Sequence, residues 1–202
     1  GGFETVLWDI NHEALEKGVG SIRKTFDYPI KKRKMKPADL ENMLEKQLTA
    51  TFSLDDLKDV DLIIEAVLEN MDVKQEIWKE LEGICRPDVI FATNTSALPI
   101  TEMASILEDP GRMLGLHFFN PAHRMMLLEI ICAEKTSNET LSTSVAFARA
   151  IKKVPIVVND GPGFYVSRQL GGLMGGAVFL SADGVDGNVV EQAMINFGMP
   201  MG

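Results

Sequence analysis

The sequence is poor in the residues that build small stapled or metal-dependent proteins. It has two cysteines, Cys85 and Cys132, and three histidines in 202 residues. Two distant cysteines and three scattered histidines have no ligand spacing, so a metal centre is not expected. A disulfide framework is not expected either, and a reducing compartment fits the cysteine usage. No apolar run reaches the roughly 18 residues that a membrane-spanning helix needs. No signal peptide pattern is visible at Gly1-Gly2. Basic residues are outnumbered 20 to 29, for a net charge of -9 and a pI near 4.9. The basic excess of a nucleic-acid binder is therefore missing. The GxSxG elbow of serine hydrolases and the GxGxxG loop of dinucleotide binders are also missing. What remains is a chain with 46% hydrophobic and 24% charged residues, which is the composition of a folded globular protein.

Its elements alternate. Residues 3–9, FETVLWD, read as a strand, and 11–28 have helical spacing, with Asn11 as N-cap and Pro29 as the interruption. The basic run Lys31-Lys32-Arg33-Lys34 follows, and Pro37 opens a further helix with Leu40, Met43 and Leu44 on its apolar face. Residues 48–52 read as a strand. The run DLIIEAV (61–67) suits a strand covered on both faces. Residues 73–84, 99–107 and 138–152 read as helices; 89–93, 113–118, 126–132 and 154–158 read as strands. This alternation predicts an α/β fold with a doubly wound sheet. After Asp160-Gly161-Pro162-Gly163 the pattern turns helical, at 164–182 and 187–197. A domain boundary is placed near residue 160, with a second, helical domain after it.

The first strand ends in Asp9. In dinucleotide-binding folds an acid at the end of the second strand accepts the adenine-ribose hydroxyls and repels a 2′-phosphate, which favours NAD over NADP. A surface Asp before a helix cap explains the residue equally simply. If the fold is of this kind, the first strand, the glycine loop and most of the first helix lie upstream of Gly1.

Three stretches carry chemistry: Asn94-Thr95-Ser96 after a strand, His117-Phe118-Phe119-Asn120-Pro121 ending another, and Glu129 within LLEII. An ionised Glu in such an apolar run requires a partner. A hairpin turning around residue 123 sets His117 opposite Glu129, because both lie six positions from its centre. A carboxylate beside an imidazole fixes its tautomer and orientation, as a general base for an alcohol proton requires. Ser96 is then placed to bond the substrate oxygen. A lone His in a strand is more often structural; the Glu partner shifts the balance. His12 and His123 carry no such signal. The run Lys31–Lys36 reads as a solvated helix end or as a phosphate-binding patch suited to a coenzyme A nucleotide.

At these residues the sequence resembles the 3-hydroxyacyl-CoA dehydrogenase family. The matching stretches are IIEAVLENMDVKQEIW (63–78), FATNTSALPI (91–100), GLHFFNPAHRMMLLEII (115–131), VNDGPGFYVSR (158–168) and FGMPMG (197–202). They are most similar to the dehydrogenase portion of multifunctional fatty-acid oxidation enzymes, with the single-function enzyme close behind. The resemblance implies an NAD-binding Rossmann-type domain over 1–160, N-terminally incomplete. It implies the start of an all-helical C-terminal substrate and dimerisation domain over 161–202. It also implies oxidation of an L-3-hydroxyacyl-CoA to the 3-oxoacyl-CoA with NAD+, in β-oxidation. His117 matches the base, Glu129 its paired acid and Ser96 a serine near the substrate oxygen and nicotinamide. Asn120 matches an asparagine beside the cofactor and Asp9 the ribose acid. Val67, Leu68, Glu69 and Lys74 match positions lining the NAD site. Implied partners are the acyl-CoA substrate, a second copy of the chain, and an enoyl-CoA hydratase and a thiolase fused or associated with it. The implied setting is a prokaryotic-like cytoplasm.

Two features depart from the family pattern. The glycine loop is absent, and with it the helix amides that hold pyrophosphate. Ser167 stands where the family carries a substrate-adjacent Asn. The 202 residues alone are therefore expected to be inactive or very weak. Competing readings are a non-catalytic structural or binding relative on the same fold, and a β-hydroxy-acid dehydrogenase that does not use coenzyme A.

Overall fold

The computed structural model describes residues 2–199. Gly1 and the last three residues of the FGMPMG stretch lie outside the described residues. The chain divides into two compact units, Gly1–Asp160 and Gly161–Gly202.

In the first unit the strands are β1 (Thr5–Trp8), β2 (Leu48–Thr51), β3 (Leu62–Glu65), β4 (Ile90–Thr93), β5 (Met113–Phe118), β6 (Leu127–Cys132) and β7 (Val154–Asn159). The α-helices are α1 (His12–Thr25), α2 (Asp27–Lys31), α3 (Pro37–Gln47), α4 (Met71–Ile84), α5 (Ile100–Ala104) and α6 (Asn138–Ala150). Local chemistry accounts for several boundaries. The Asn11 side chain accepts from the amides of Glu13 and Ala14 and starts α1. Asn70 caps α4 through the Val73 amide, and Ser137 caps α6 through that of Thr140. Pro37 sits in the first turn of α3, where no amide donor is needed.

Pro29 does not interrupt the chain as the sequence suggests. It lies inside α2, whose first turn tolerates a residue without an N–H, and α1 has already ended at Thr25.

The sheet is in two pieces. β1 and β2 pair in parallel. A second sheet runs β3-β4-β5-β6-β7, parallel except for the antiparallel β5–β6 pair. The order β2-β1 and then β3-β4-β5 matches the two flanks of a dinucleotide-binding sheet about its central strand. These flanks do not pair with each other. Between them lies an open cleft of about 1860 Å³, lined by Thr5–Trp8 of β1 and Leu62–Glu65 of β3. On β3 Ile63 and Glu65 are buried, while Ile64 is 39% exposed and faces this cleft.

The core lies on the larger sheet. Ala92, Leu114, Leu116, Leu128 and Ile130 pack with Ala148 of α6. Trp78 of α4 stacks at a tilt on Phe91 at 4.8 Å and donates its indole N–H to the Met103 sulfur. Gly115 allows the closest approach: a Cβ there would sit 2.3 Å from Ile100 Cδ1 and 2.9 Å from Ile131 Cδ1. α5 rests on β5 only because that side chain is absent.

The second unit holds α7 (Val166–Ala182) and α8 (Gly187–Phe197). None of their residues is buried, and several apolar ones, among them Phe179, Val189 and Phe197, are exposed. Among the described residues no helix is long and apolar enough to cross a membrane.

Candidate active site

The β5–β6 hairpin pairs His117 with Glu129 in register. Their side chains meet: His117 Nδ1 is 2.7 Å from Glu129 Oε2, with the carboxylate fully buried and the ring almost so. Phe119 packs against the imidazole, ring centroids 4.6 Å apart. Glu129 accepts from Nδ1–H, so the Nε2 lone pair is the basic one. The turn that closes the hairpin, 119–126, contains a cis Asn120–Pro121 peptide and an exposed Asn120. Lys153 holds this turn by donating to the carbonyls of Ala122 and Met125.

A second cluster lies at the carboxyl ends of β3 and β4, where ligands bind in open α/β sheets. Lys74 is 1% exposed, although the sequence suggests a cofactor contact for it. Its ammonium sits 2.6 Å from Glu65 and 3.3 Å from Glu69. Glu65 is buried and also accepts from the Val67 amide at 2.7 Å and the Thr93 hydroxyl at 2.7 Å. Glu69 accepts from the Thr95 hydroxyl and from the Ser96 amide at 3.3 Å. Burial would raise the Glu69 carboxyl. The Thr95 hydroxyl, the Lys74 ammonium and the Ser96 amide outweigh it and hold the group below the ordinary glutamate value.

These bonds set the loop that presents Ser96, whose residue is exposed. The Asn94 side chain joins the two clusters by accepting the Phe118 amide at 2.8 Å, one residue beyond His117. Val67 is half-buried and Leu68 is 72% exposed beside this loop. Asp9 directly follows β1, its carboxylate accepting from the Asn11 amide at 2.9 Å. Ser167 is the second residue of α7, in the helical unit.

Sequence reasoning overlooked Glu65, Thr93 and the part played by Asn94. Glu65 was findable. It is an acid inside an apolar strand run, the signal that singled out Glu129.

The basic run resolves into separate roles. Lys31 joins Lys24, His123 and Arg124 around a pocket of about 410 Å³ that also takes in Ser21, Thr25, Asp27 and Tyr28. Lys36 instead ends up at the N-cap of α3, its amide donating to Asp39. Among the described residues no three His, Cys, Asp or Glu side chains converge as metal ligands.

Comparison with known proteins follows this geometry. The fatty acid oxidation complex subunit alpha of Psychrobacter sp. (strain PRwf-1) is 41% identical over 201 residues, covering the whole chain and 28% of that protein. That of Acinetobacter baumannii (strain ACICU) is 40% identical over the same span. The chain thus spans under a third of the length of these curated relatives. Among solved structures, the (S)-3-hydroxybutyryl-CoA dehydrogenase PaaH1 of Ralstonia eutropha is 35% identical with a TM-score of 0.94, over all of this chain and 71% of that one. The 3-hydroxybutyryl-CoA dehydrogenase of Escherichia coli K12 is 30% identical with a TM-score of 0.92, over 98% of this chain and 42% of that one. Residues 1–161 match the NAD binding domain of 3-hydroxyacyl-CoA dehydrogenase, and the chain belongs to that family.

Proposed function

We propose that this chain carries the catalytic half of an NAD-dependent oxidation of L-3-hydroxyacyl-CoA to 3-oxoacyl-CoA. The observation that carries the reading is the buried His117–Glu129 pair at the end of β5, tied through Asn94 to the loop that presents Ser96. The Nε2 lone pair of His117 takes the substrate hydroxyl proton. Glu129 holds the ring in the tautomer this needs and stabilises the imidazolium that forms. Ser96 and Asn120 orient the oxygen and the reacting carbon. Ser167, which the resemblance matches to a substrate-adjacent position, is a proposed substrate contact.

The residues present fit NAD in part. Asp9 would hold the adenine-ribose hydroxyls, and Glu69, supported by Lys74, would line the nucleotide site with Val67 and Leu68. When bound, the nicotinamide supplies the acceptor for the hydride that leaves C3.

The pocket of Lys24, Lys31 and Arg124 would take coenzyme A phosphates, since three cations converge there in an otherwise acidic chain. Its residues come from α1, α2 and the hairpin turn, and only the turn, with His123 and Arg124, is close in sequence to the base.

The working context we infer is a cytoplasmic β-oxidation enzyme that dimerises through its helical domain. The relatives named as alpha subunits of a fatty acid oxidation complex support association with further subunits, which we take to be a hydratase and a thiolase.

The test is NADH oxidation with acetoacetyl-CoA by the full gene product, beside His117→Ala and beside a Lys24→Ala/Lys31→Ala/Arg124→Ala variant. The reading expects turnover, its loss in the first variant, and a raised KM with little change in kcat in the second. A silent, folded wild type across several acyl lengths would overturn it. Turnover indifferent to competition by free coenzyme A would leave a dehydrogenase acting on other β-hydroxy acids.

A further inference from the structure

The Glu65–Lys74–Glu69 chain has an unequal charge count. Two carboxylates share one ammonium. Glu65 is buried and surrounded by the Val67 amide, the Thr93 hydroxyl and Lys74 at 2.6 Å, so it takes most of the cation's compensation. Glu69 is the surplus charge. Its side chain is 45% exposed, it sits farther from Lys74 at 3.3 Å, and the Thr95 hydroxyl and Ser96 amide aim it. The fold thereby delivers one carboxylate, oriented and not fully neutralised, to the ends of β3 and β4.

The reacting ring of a nicotinamide must lie near this charge. The proton that His117 takes and the hydride leave the same substrate carbinol, and the Asn94–Phe118 bond holds the Ser96 loop beside the end of the His117 strand. The two redox forms of the dinucleotide differ by the charge of that ring, cationic when oxidised and neutral when reduced.

We propose that Glu69 selects the redox state of the nucleotide: its carboxylate favours the oxidised, cationic form over the reduced form. This rests on the dehydrogenase reading above. Glu65 and Lys74 act only through Glu69, as positioning residues. A carboxylate that merely accepted a ribose hydroxyl would bind both forms alike, because they share the ribose.

The experiment measures Kd for NAD+ and for NADH, by calorimetry or nucleotide fluorescence, in the full gene product and in Glu69→Gln and Glu69→Asp. A single charge several ångströms away in a partly wet site is worth about a 3- to 30-fold effect. Glu69→Gln is expected to lower the NAD+ preference by that factor. Glu69→Asp is expected to keep most of the preference. In the wild type, raising salt should reduce the ratio of the two affinities, a readout that needs no substitution. Equal weakening of both nucleotides, or no change in either, would overturn the proposal while leaving the dehydrogenase reading intact. A folded wild type that binds neither nucleotide would overturn both.

Discussion

Glu65 on β3 and Glu129 on β6 are both carboxylates buried in apolar strands, and both meet a basic side chain at nearly the same distance. Glu65 lies 2.6 Å from Lys74 Nζ and Glu129 lies 2.7 Å from His117 Nδ1. The partners differ in kind. The Glu65–Lys74 pair is sealed and bonded to the Val67 amide and the Thr93 hydroxyl, so it is a scaffold that shapes two loops. An imidazole has two ring nitrogens that can play different parts, which is what the proposed base at His117 uses. Position reinforces the difference. Lys74 comes from inside a helix and is sealed at 1% exposure, whereas His117 stands next to the last residue of its strand, one step from the turn. Similar burial of an acid thus supports a structural site in one region and the proposed base in the other.

The largest expected effect tests the second pair. His117→Gln should lower kcat by about 10²–10⁴-fold while the melting temperature changes little, because a side chain of similar reach can still bond Glu129. Equal loss of activity and of folding would make the pair structural, like its counterpart. Lys74→Met tests the first pair from the opposite side. Two carboxylates then lose the cation they share, and the protein should lose about 3–5 kcal/mol in urea denaturation. Adding Glu65→Gln should restore part of that loss, since the uncompensated buried charge is gone. Failure of the second substitution to recover stability would remove the case for Glu65 as the main partner.

A smaller effect concerns the hairpin register that sets His117 against Glu129. Gly115→Ala drives a methyl into Ile100 and Ile131 and should cost about 1–3 kcal/mol, read from thermal melting. Ile100→Ala in the same background should recover some of it if the close approach to α5 is the cause. The smallest effect probes the two regions by their cysteines. Burial pushes the thiols of Cys85, at the end of α4, and Cys132, at the end of β6, above the ordinary thiol value, at Cys85 against the pull of Arg112. Both therefore stay protonated at neutral pH. Iodoacetamide should modify each several-fold more slowly than a free thiol at pH 8, with the protection lost in urea. Fast reaction at Cys132 alone would show the base's strand opening while the Lys74 helix stays closed.

Much of this arrangement was legible where the cause is local. Asn11 caps α1 and Pro37 opens α3, because cap and first-turn chemistry act within a few residues. The pairing of His117 with Glu129 follows from symmetry about residue 123, because a hairpin is the shortest route between two antiparallel strands. Pro29 misled, since a proline in a helix's first turn reads in sequence like one that ends the helix before it. The buried ammonium of Lys74 was hidden for another reason. A lysine on an amphipathic helix is ordinarily solvated, and only Glu65, nine residues earlier on another element, makes its burial affordable.

The order of elements, the caps, the change to helix after Asp160 and the proximity of His117 to Glu129 were determined by the sequence alone, through patterns that local backbone geometry enforces. The tertiary structure decided the rest. It set β5 antiparallel to β6 within an otherwise parallel sheet. It drew Lys24, Lys31 and Arg124 around one pocket from elements about a hundred residues apart. It also turned one lysine and two glutamates into a scaffold that leaves a single carboxylate beside Ser96. Desolvation is the physical reason. Which charges are compensated depends on what is buried beside them, and that is settled only when distant segments pack.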